Sequence, residues 1–326
     1  MRRLTISVTA AMVAATTACA ADRPADPPPP ASTTATADPA PPATAAHPAP
    51  PATSAEPAAS EPRYAVGRRH LDLARGDRPL RTLLLYPAAG ADTDPIRTGA
   101  APALGRFPLV LFSHGLHGSP ERYEPAAAGW ASAGFVVALP AYPYTHAGTT
   151  DFRRRDIRNQ PADADYVIRK VRRLAGTAGD PLSGRIDGGR VAAVGHSAGG
   201  YTTNGLFTAG HDPRLRAGVV LAGWMAPGAF HGPPATMLFI HGDSDPVVPE
   251  QRGRAAYDRV PWPKAYVLLP RNHHAAYMLP GNRGFPEMES LVTDFLRWTL
   301  RGDEAAGARF AGMVRNSPGD PGTMGA

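Results

Sequence analysis

Seven short, nearly continuous runs of apolar residues recur along this chain, with helix-sized gaps between them. A strand that is buried on both faces reads as a continuous apolar run, whereas a half-exposed strand alternates. The runs therefore predict an α/β fold, in which helices cover both faces of a mostly parallel sheet. The predicted strands are 81–86, 109–112, 135–139, 191–194, 217–222, 237–240 and 265–269. The predicted helices are 122–133, 162–174, 198–207, 250–260 and 287–300.

The N-terminal part of the chain has a different composition. Residues 22–62 contain no Val, Ile, Leu, Met, Phe, Trp or Tyr. Such a segment cannot bury enough apolar surface to offset its ordering entropy, so we predict a disordered linker over 21–62. About 240 residues, 63–301, remain for one catalytic domain with a large core. We predict a flexible tail over 302–326, which is rich in Gly, Ala and Pro.

Residues 1–20 have the pattern of an export signal, with Arg2 and Arg3 before a moderately apolar stretch. Two cleavage sites compete. Cleavage after Ala20 would release a secreted protein, whereas the lipobox-like segment 16–19 would make Cys19 the lipidated N-terminus of a cell-envelope lipoprotein tethered to the membrane. Cys19 is the only cysteine, so no intramolecular disulfide can form.

The charge balance gives little indication of a partner. Lys and Arg number 34 against 28 Asp and Glu, and the net charge is +6. The basic clusters at 153–155 and 169–173 are short, and no nucleic-acid reading motif accompanies them. We therefore expect no nucleic-acid partner, and we expect a monomer.

One motif has the context of a catalytic serine. Gly195-His196-Ser197-Ala198-Gly199 follows the predicted strand 191–194 and opens the predicted helix 198–207. This is G-x-S-x-G at a sharp strand-to-helix turn, where small neighbours let the strand and the helix approach closely. The motif alone occurs often by chance, and the context is what makes Ser197 a candidate nucleophile.

A serine nucleophile needs a base, and the base needs a group that orients it. Asp243 and Asp245 follow the predicted strand 237–240, and His273 and His274 follow the predicted strand 265–269. The chain order Ser, Asp, His on three separate strand ends is that of the α/β-hydrolases. The spacing does not choose between the two aspartates or between the two histidines.

An oxyanion hole is predicted at the end of the strand 109–112. Gly115 lets the chain turn so that the N–H of Leu116 points at the site, where it complements the N–H of Ala198. No structural zinc spacing accompanies the histidines of this segment, so we expect no metal. No other cofactor is implied.

These segments resemble the α/β-hydrolase superfamily, near its dienelactone-hydrolase-like, platelet-activating-factor-acetylhydrolase-like and cutinase-like polyester-hydrolase members. The resemblance covers about 81–300 and uses the segments 112–116, 134–137, 195–199, 241–249 and 272–275. It implies Ser197 as nucleophile, Asp245 as acid, His274 as base, and Leu116 and Ala198 as oxyanion donors. It also implies that Trp224, together with Leu116, lines the substrate site. The sequence departs from polyester hydrolases at Leu116, usually aromatic there, and at Ala198, usually Met.

The resulting hypothesis is an exported serine esterase that cleaves a small or polymeric ester through an acyl-enzyme. An acyltransferase or a peptidase could use the same triad, and a non-catalytic surface binding module could use the same fold. Only 14 residues, rich in Gly and Pro, separate the predicted strands 217–222 and 237–240. We therefore expect no helical cap domain over the site.

Overall fold

The computed structural model describes residues 62–208, 210–322 and 324. They belong to one compact unit, Ala59–Ala326. The predicted signal peptide, Cys19 and the predicted linker up to residue 61 lie outside the described residues. Predictions about export and lipidation therefore concern a part of the chain that the structure does not describe.

The described residues form one ten-stranded sheet, in the order β10-β9-β8-β7-β6-β4-β5-β2-β1-β3. The six strands β4 to β9 run parallel, while β1, β2 and β10 pair antiparallel with their neighbours β2, β5 and β9. The strands are β1 Ala65–Arg75, β2 Arg78–Ala88, β3 Arg97–Thr98, β4 Phe107–Ser113, β5 Val136–Pro140, β6 Ile186–His196, β7 Leu215–Leu221, β8 Thr236–Gly242, β9 Lys264–Leu269 and β10 Gly319–Asp320.

Six α-helices accompany the sheet in the described part of the chain. They are α1 Pro120–Ser132, α2 Gln160–Leu174, α3 Ala198–Leu206, α4 Glu250–Asp258, α5 Phe285–Leu296 and α6 Glu304–Asn316. A 3₁₀ helix, Arg154–Asn159, precedes α2, and a π-helical turn, Arg297–Arg301, follows α5.

The helices cover both faces of the sheet with separate apolar layers. One layer includes Trp130 of α1, Phe295 of α5 and Phe310 of α6, and the other includes Ile168 of α2 and Tyr257 of α4. The central strands therefore bury both faces, which is why their sequences are continuously apolar. The predicted α/β-hydrolase architecture, a mostly parallel sheet flanked by helices, is confirmed.

The predicted flexible tail over 302–326 is wrong for most of its length. Asp303 caps α6 by accepting a hydrogen bond from the backbone N–H of Ala306. Phe310 and Val314 of the same helix are buried against the core, and β10 extends the sheet beyond β9. The small residues of this segment concealed an amphipathic helix whose apolar positions are few but well spaced.

The connection between β7 and β8 is short and irregular. Residues 222–235 contain no helix and no strand. The expected absence of a cap domain at this position is confirmed. In the ranges that the structure describes, none of the helices combines the length and the hydropathy that crossing a bilayer would require.

Candidate active site

Ser197 stands at the turn between β6 and α3 in a strained backbone conformation. Its φ is 59° and its ψ is −119°, in a region that residues other than glycine rarely adopt. Glycines make the turn feasible. A Cβ atom on Gly195 would lie 2.0 Å from the carbonyl oxygen of Gly199, and one on Gly199 would lie 1.8 Å from that of Ser113. The close approach of α3 to β6 and β4 therefore requires both glycines, and it presents Ser197 at the carboxyl edge of the sheet.

Asp245 and His274 meet at the same edge. The Nδ1 atom of His274 lies 2.7 Å from Oδ2 of Asp245, whose side chain is fully buried. The backbone N–H groups of Val247 and Val248 donate to Oδ1 of Asp245, at 2.8 and 2.9 Å. Burial opposes ionisation of Asp245, but hydrogen bonds from His241, His274 and these N–H groups hold its pKa well below the usual range. Asp245 is therefore an ionised acceptor that fixes the proton of His274 on Nδ1.

A second histidine lies on the other side of this carboxylate. The Nε2 atom of His241, at the end of β8, is 3.3 Å from Oδ2 of Asp245 and 2.9 Å from the carbonyl oxygen of Val248. Both partners accept hydrogen bonds, so Nε2 of His241 carries the proton. His241 thus helps to hold the Asp245 loop against the end of the strand.

His196, the residue before Ser197, connects the nucleophile turn with the histidine loop. Its Nε2 donates to the carbonyl oxygen of His274 at 2.7 Å, and its Nδ1 lies 2.9 Å from the hydroxyl of Tyr123. Burial, together with the neighbouring His274, lowers the pKa of His196 to about 3. The ring is therefore neutral at ordinary pH. A neutral His196 with its proton on Nε2 holds the backbone of His274 beside the turn that carries Ser197.

In the described residues Ser197 forms no side-chain hydrogen bond to His274. The rings of His196 and His274 are 4.8 Å apart, so the candidate base lies next to the nucleophile turn. Hydrogen bonds between a nucleophile and its base are often long without substrate and tighten when it binds. Ser197, His274 and Asp245 therefore lie at one edge of the sheet, as a Ser-His-Asp triad requires.

Two backbone N–H groups adjoin Ser197. A Cβ atom on Gly115 would lie 3.1 Å from the Cβ of Ser197, so the turn after β4 packs directly on the nucleophile. Among the described residues, neither the N–H of Leu116 nor that of Ala198 donates a hydrogen bond. The N–H of Ala198 also opens α3, where the helix dipole favours negative charge. Both groups are available to a developing oxyanion.

The loop that carries Leu116 is held in place by hydrogen bonds to the segment that follows β5. His114 donates from Nδ1 to the carbonyl oxygen of Gly115 at 2.8 Å and accepts from the N–H of Tyr142 at 3.2 Å. Burial lowers the pKa of His114 to about 4, so this ring too is neutral. The N–H of His117 donates to the carbonyl oxygen of Thr145 at 2.8 Å. The loop is therefore fixed before any substrate arrives.

The comparisons with known proteins agree with this geometry. A family model of PET hydrolase-like proteins matches residues 115–298, which is more than half of the chain. The chain belongs to the PET hydrolase-like family. The suspected resemblance to the α/β-hydrolase superfamily and its polyester-hydrolase group is thereby confirmed.

Two curated relatives of this PET hydrolase-like chain are platelet-activating factor acetylhydrolases. The protein from Cavia porcellus is 27% identical over 172 residues, and the one from Canis lupus familiaris is 28% identical over 173 residues. Each match covers 41% of this chain and 37% of the relative. The match therefore spans less than half the length of either relative. These findings confirm the prediction of a carboxylic ester hydrolase at the level of the family.

The structure also shows the contacts of Asp243 and His273, the alternative acid and the alternative base of the sequence analysis. Asp243 accepts a hydrogen bond from the backbone N–H of Arg271 at 2.8 Å, and His273 is exposed with its Nδ1 on the carbonyl oxygen of Ser244 at 2.9 Å. Neither takes part in the pair that Asp245 forms with His274. Trp224 is half-buried after β7, and its ring lies 5.8 Å from that of Tyr201.

Sequence reasoning missed His196 and His241 as parts of the site in this PET hydrolase-like chain. His196 stands inside the recognised motif, and His241 directly precedes the segment that carries the acid. Their positions in these two segments were therefore a sequence signal that they belong to the site. Their roles depend on contacts with Tyr123 and Val248, which only the folded chain brings together.

Proposed function

We propose that the protein is an exported serine hydrolase that cleaves carboxylic esters through an acyl-enzyme. The observation that carries the proposal is the 2.7 Å hydrogen bond between His274 and a buried Asp245, next to the strained turn of Ser197. A buried carboxylate that fixes one ring nitrogen leaves the other free to take a proton from a serine.

The reaction follows from this arrangement. His274 takes the proton of the Ser197 hydroxyl at Nε2 while Oγ attacks the ester carbonyl carbon. The N–H groups of Leu116 and Ala198 stabilise the oxyanion of the tetrahedral intermediate. The C–O bond to the alcohol then breaks, and the leaving oxygen receives the proton from His274. Water, deprotonated by the same ring, attacks the acyl-enzyme and releases the carboxylic acid and Ser197.

Short and medium acyl esters are the proposed substrates. The relatives are named as acetylhydrolases, which favours small acyl groups. No cap covers the site from the irregular connection 222–235, which leaves room for a larger ester, including a polymer chain. Trp224 and Leu116 are the proposed apolar wall, and His117, stacked on the exposed Phe152 at 4.0 Å, adds an aromatic pair beside Leu116.

Export is proposed on the sequence alone. Residues 1–20 have the charge and hydropathy pattern of a signal peptide, and the lipobox-like segment before Cys19 favours a lipoprotein over a secreted form. Radiolabelled palmitate incorporated by cells expressing the full chain, and lost in Cys19→Ser, would support the tether. Release of unlabelled wild-type protein into the medium would favour secretion instead.

The decisive experiment combines Ser197→Ala with a fluorophosphonate probe. We expect wild-type protein to hydrolyse 4-nitrophenyl butyrate and to bind the probe covalently at Ser197. The variant should lose at least about 10⁴-fold in kcat, because triad members act as a unit. Ser183→Ala, at an exposed serine, is the matched control and should retain both activities. A well-folded Ser197→Ala protein with activity within tenfold of wild type would refute the assignment, and a wild type without labelling would favour a binding module.

A further inference from the structure

A groove rich in arginine begins one helical turn beyond Ser197. Its volume is about 480 Å³, and none of the described residues that line it is acidic. The 3₁₀ helix before α2, the first turns of α3, the segment after Trp224 and the end of α4 form its walls. The lining side chains are Arg154, Arg155, Ile157, Arg158, Tyr201, Met225, Ala226, Pro227 and Arg259.

The four arginines of this groove have no partner among the residues that the structure describes. Within the described part of the chain, none of their side chains forms a hydrogen bond or an ion pair, and all four are exposed. The neighbouring cavity beside α2 shares Arg158 with the groove, but its three other arginines are paired. There Arg172 and Arg214 both bind Asp212, and Arg169 binds Asp165. Unpaired positive charge is therefore a property of the groove, not of arginine-rich surfaces in general.

The 3₁₀ helix is held so that its arginines remain on the groove side. Asp156 accepts two hydrogen bonds from Arg78, at 2.9 and 2.7 Å, and a third from Asn159 at 2.7 Å. Asp156 and Asn159 are three residues apart, so they share one face of a 3₁₀ helix. The only acidic side chain of this helix is thus occupied by Arg78 on the face turned away from the groove.

The groove is connected to the candidate nucleophile through Tyr201. The N–H of Tyr201 donates to the carbonyl oxygen of Ser197 at 3.1 Å, and one helical turn is about 5.4 Å long. Burial raises the pKa of Tyr201, and the positive charge of Arg158 opposes that rise, which places Arg158 near the phenol. A substrate whose ester lies at Ser197 would therefore reach the arginines with a chain of a few carbon atoms.

We propose that this groove binds an anionic group, a carboxylate or a phosphate, carried by the ester substrate itself. The proposal rests on the proposed function, since it needs Ser197 to hold the ester. Guanidinium groups bind carboxylate and phosphate oxygens in pairs, and clustered arginines without acidic neighbours attract an anion before it docks. Esters with a terminal negative charge are therefore the preferred substrates of this enzyme.

The test compares two matched esters, neutral 4-nitrophenyl hexanoate and mono-4-nitrophenyl adipate, which ends in a carboxylate. The variant is the double substitution Arg155→Gln with Arg158→Gln. The control is Arg106→Gln, an exposed arginine just before β4, at the opposite edge of the sheet from Ser197. We expect the double variant to lower the adipate-to-hexanoate ratio of kcat/KM by at least about fivefold, as losing charge-assisted hydrogen bonds predicts. The control should leave the ratio unchanged.

Ionic strength and free phosphate provide a second measurement. Sodium chloride should reduce the adipate preference of the wild type, because it screens exposed charges. Inorganic phosphate, compared with sodium chloride at equal ionic strength, should inhibit adipate hydrolysis more than hexanoate hydrolysis if the groove accepts phosphate. If phosphate inhibits the hydrolysis of both esters equally and the adipate preference remains, the groove binds only anions that are attached to an ester. This result also supports the proposal.

Two results separate this inference from the proposed function. If the hexanoate is hydrolysed in a Ser197-dependent manner but the ratio is the same in wild type, double variant and control, the groove proposal is wrong and the esterase stands. If Ser197→Ala hydrolyses both esters at wild-type rates, the proposed function fails and the groove proposal fails with it.

Discussion

Asp245 lies between two histidines, and their contacts with it differ. His274 approaches Oδ2 at 2.7 Å from the loop after β9, and His241 approaches the same atom at 3.3 Å from the end of β8. Only His274 is on the side of Ser197, where His196 holds its backbone. The carboxylate therefore has one partner beside the turn that carries Ser197 and one that supports the loop.

This difference predicts which of the two aspartates and which of the two histidines are needed for activity. We expect Asp245→Asn and His274→Ala to lower kcat by about 10³-fold or more, because each removes a member of the proposed triad. Asp243→Asn and His273→Ala are the matched controls, since their side chains bond the backbone of Arg271 and Ser244 instead. Steady-state hydrolysis of 4-nitrophenyl butyrate by the four variants measures the difference. If either control variant lost more kcat than the variant of the neighbouring candidate, the two residues would have the opposite roles.

His196 is a positioning residue for the same base. His196→Phe keeps an aromatic ring but removes the hydrogen bond to the carbonyl oxygen of His274. We expect kcat to fall by about tenfold with KM nearly unchanged, since misplacing the base affects the transition state more than binding. Tyr123→Phe is the control, because it removes the hydroxyl that contacts Nδ1 of His196 and leaves the bond from His196 to His274. A rise in KM with an unchanged kcat would contradict this role.

At the scale of elements, the packing of α3 on β4 and β6 allows no added methyl group. A Cβ atom on Gly199 would lie 1.8 Å from the carbonyl oxygen of Ser113, and backbone atoms cannot yield as a side-chain end can. We expect Gly199→Ala to destabilise the fold by at least about 3 kcal/mol, the upper range for overpacking. Urea unfolding measures this free energy.

Gly312 of α6 is the control for that substitution. No atom would lie within 4 Å of a Cβ atom there, so Gly312→Ala should stabilise the fold by up to about 1 kcal/mol through helix propensity. Equal stability of the two variants would mean that α3 can move away from the sheet.

The strands that the sequence predicted correctly are those buried on two faces. The strands β4 to β9 are continuous apolar runs because helices cover both sides of them. Strand β1 was missed because one of its faces is partly exposed and carries Arg68, His70 and Asp72, so its pattern resembles a polar loop. Helix α6 was missed because it contains Gly307 and Gly312 and few large apolar side chains.

The site was predictable to the extent that it depends on strand ends. Ser197, Asp245 and His274 follow the parallel strands β6, β8 and β9, and parallel strands end at one edge of the sheet. The supporting contacts were not predictable, because His114 needs Tyr142 and His196 needs Tyr123. These partners are distant in the sequence, and no local pattern pairs them.

For the whole molecule, two buried neutral histidines link stability to pH. Burial lowers the pKa of His114 to about 4 and that of His196 to about 3, from an ordinary value of 6.5. Between about pH 6.5 and 4 the unfolded chain therefore binds protons that the folded chain does not, and stability falls as pH falls. Each histidine contributes up to about 1.4 kcal/mol per pH unit.

Urea unfolding at a series of pH values checks this linkage. We expect the slope of the unfolding free energy against pH to decrease by about one proton in His196→Phe. His70→Gln, at an exposed histidine of β1, should leave the slope unchanged. An identical slope in wild type and both variants would mean that His196 is protonated in the folded protein.

The loop with Leu116 and the helix after Ser197 are joined by a buried line of hydrogen bonds. Thr202 donates to Gln160 at 2.6 Å, Gln160 donates to Thr145 at 2.7 Å, and the carbonyl oxygen of Thr145 holds the N–H of His117. Because these hydrogen bonds fix the two parts to each other, we expect no large segmental motion during turnover. The acylation rate in stopped-flow experiments should therefore stay constant as added glycerol raises the viscosity of the medium. An enzyme that must close a lid would instead slow in proportion to the viscosity.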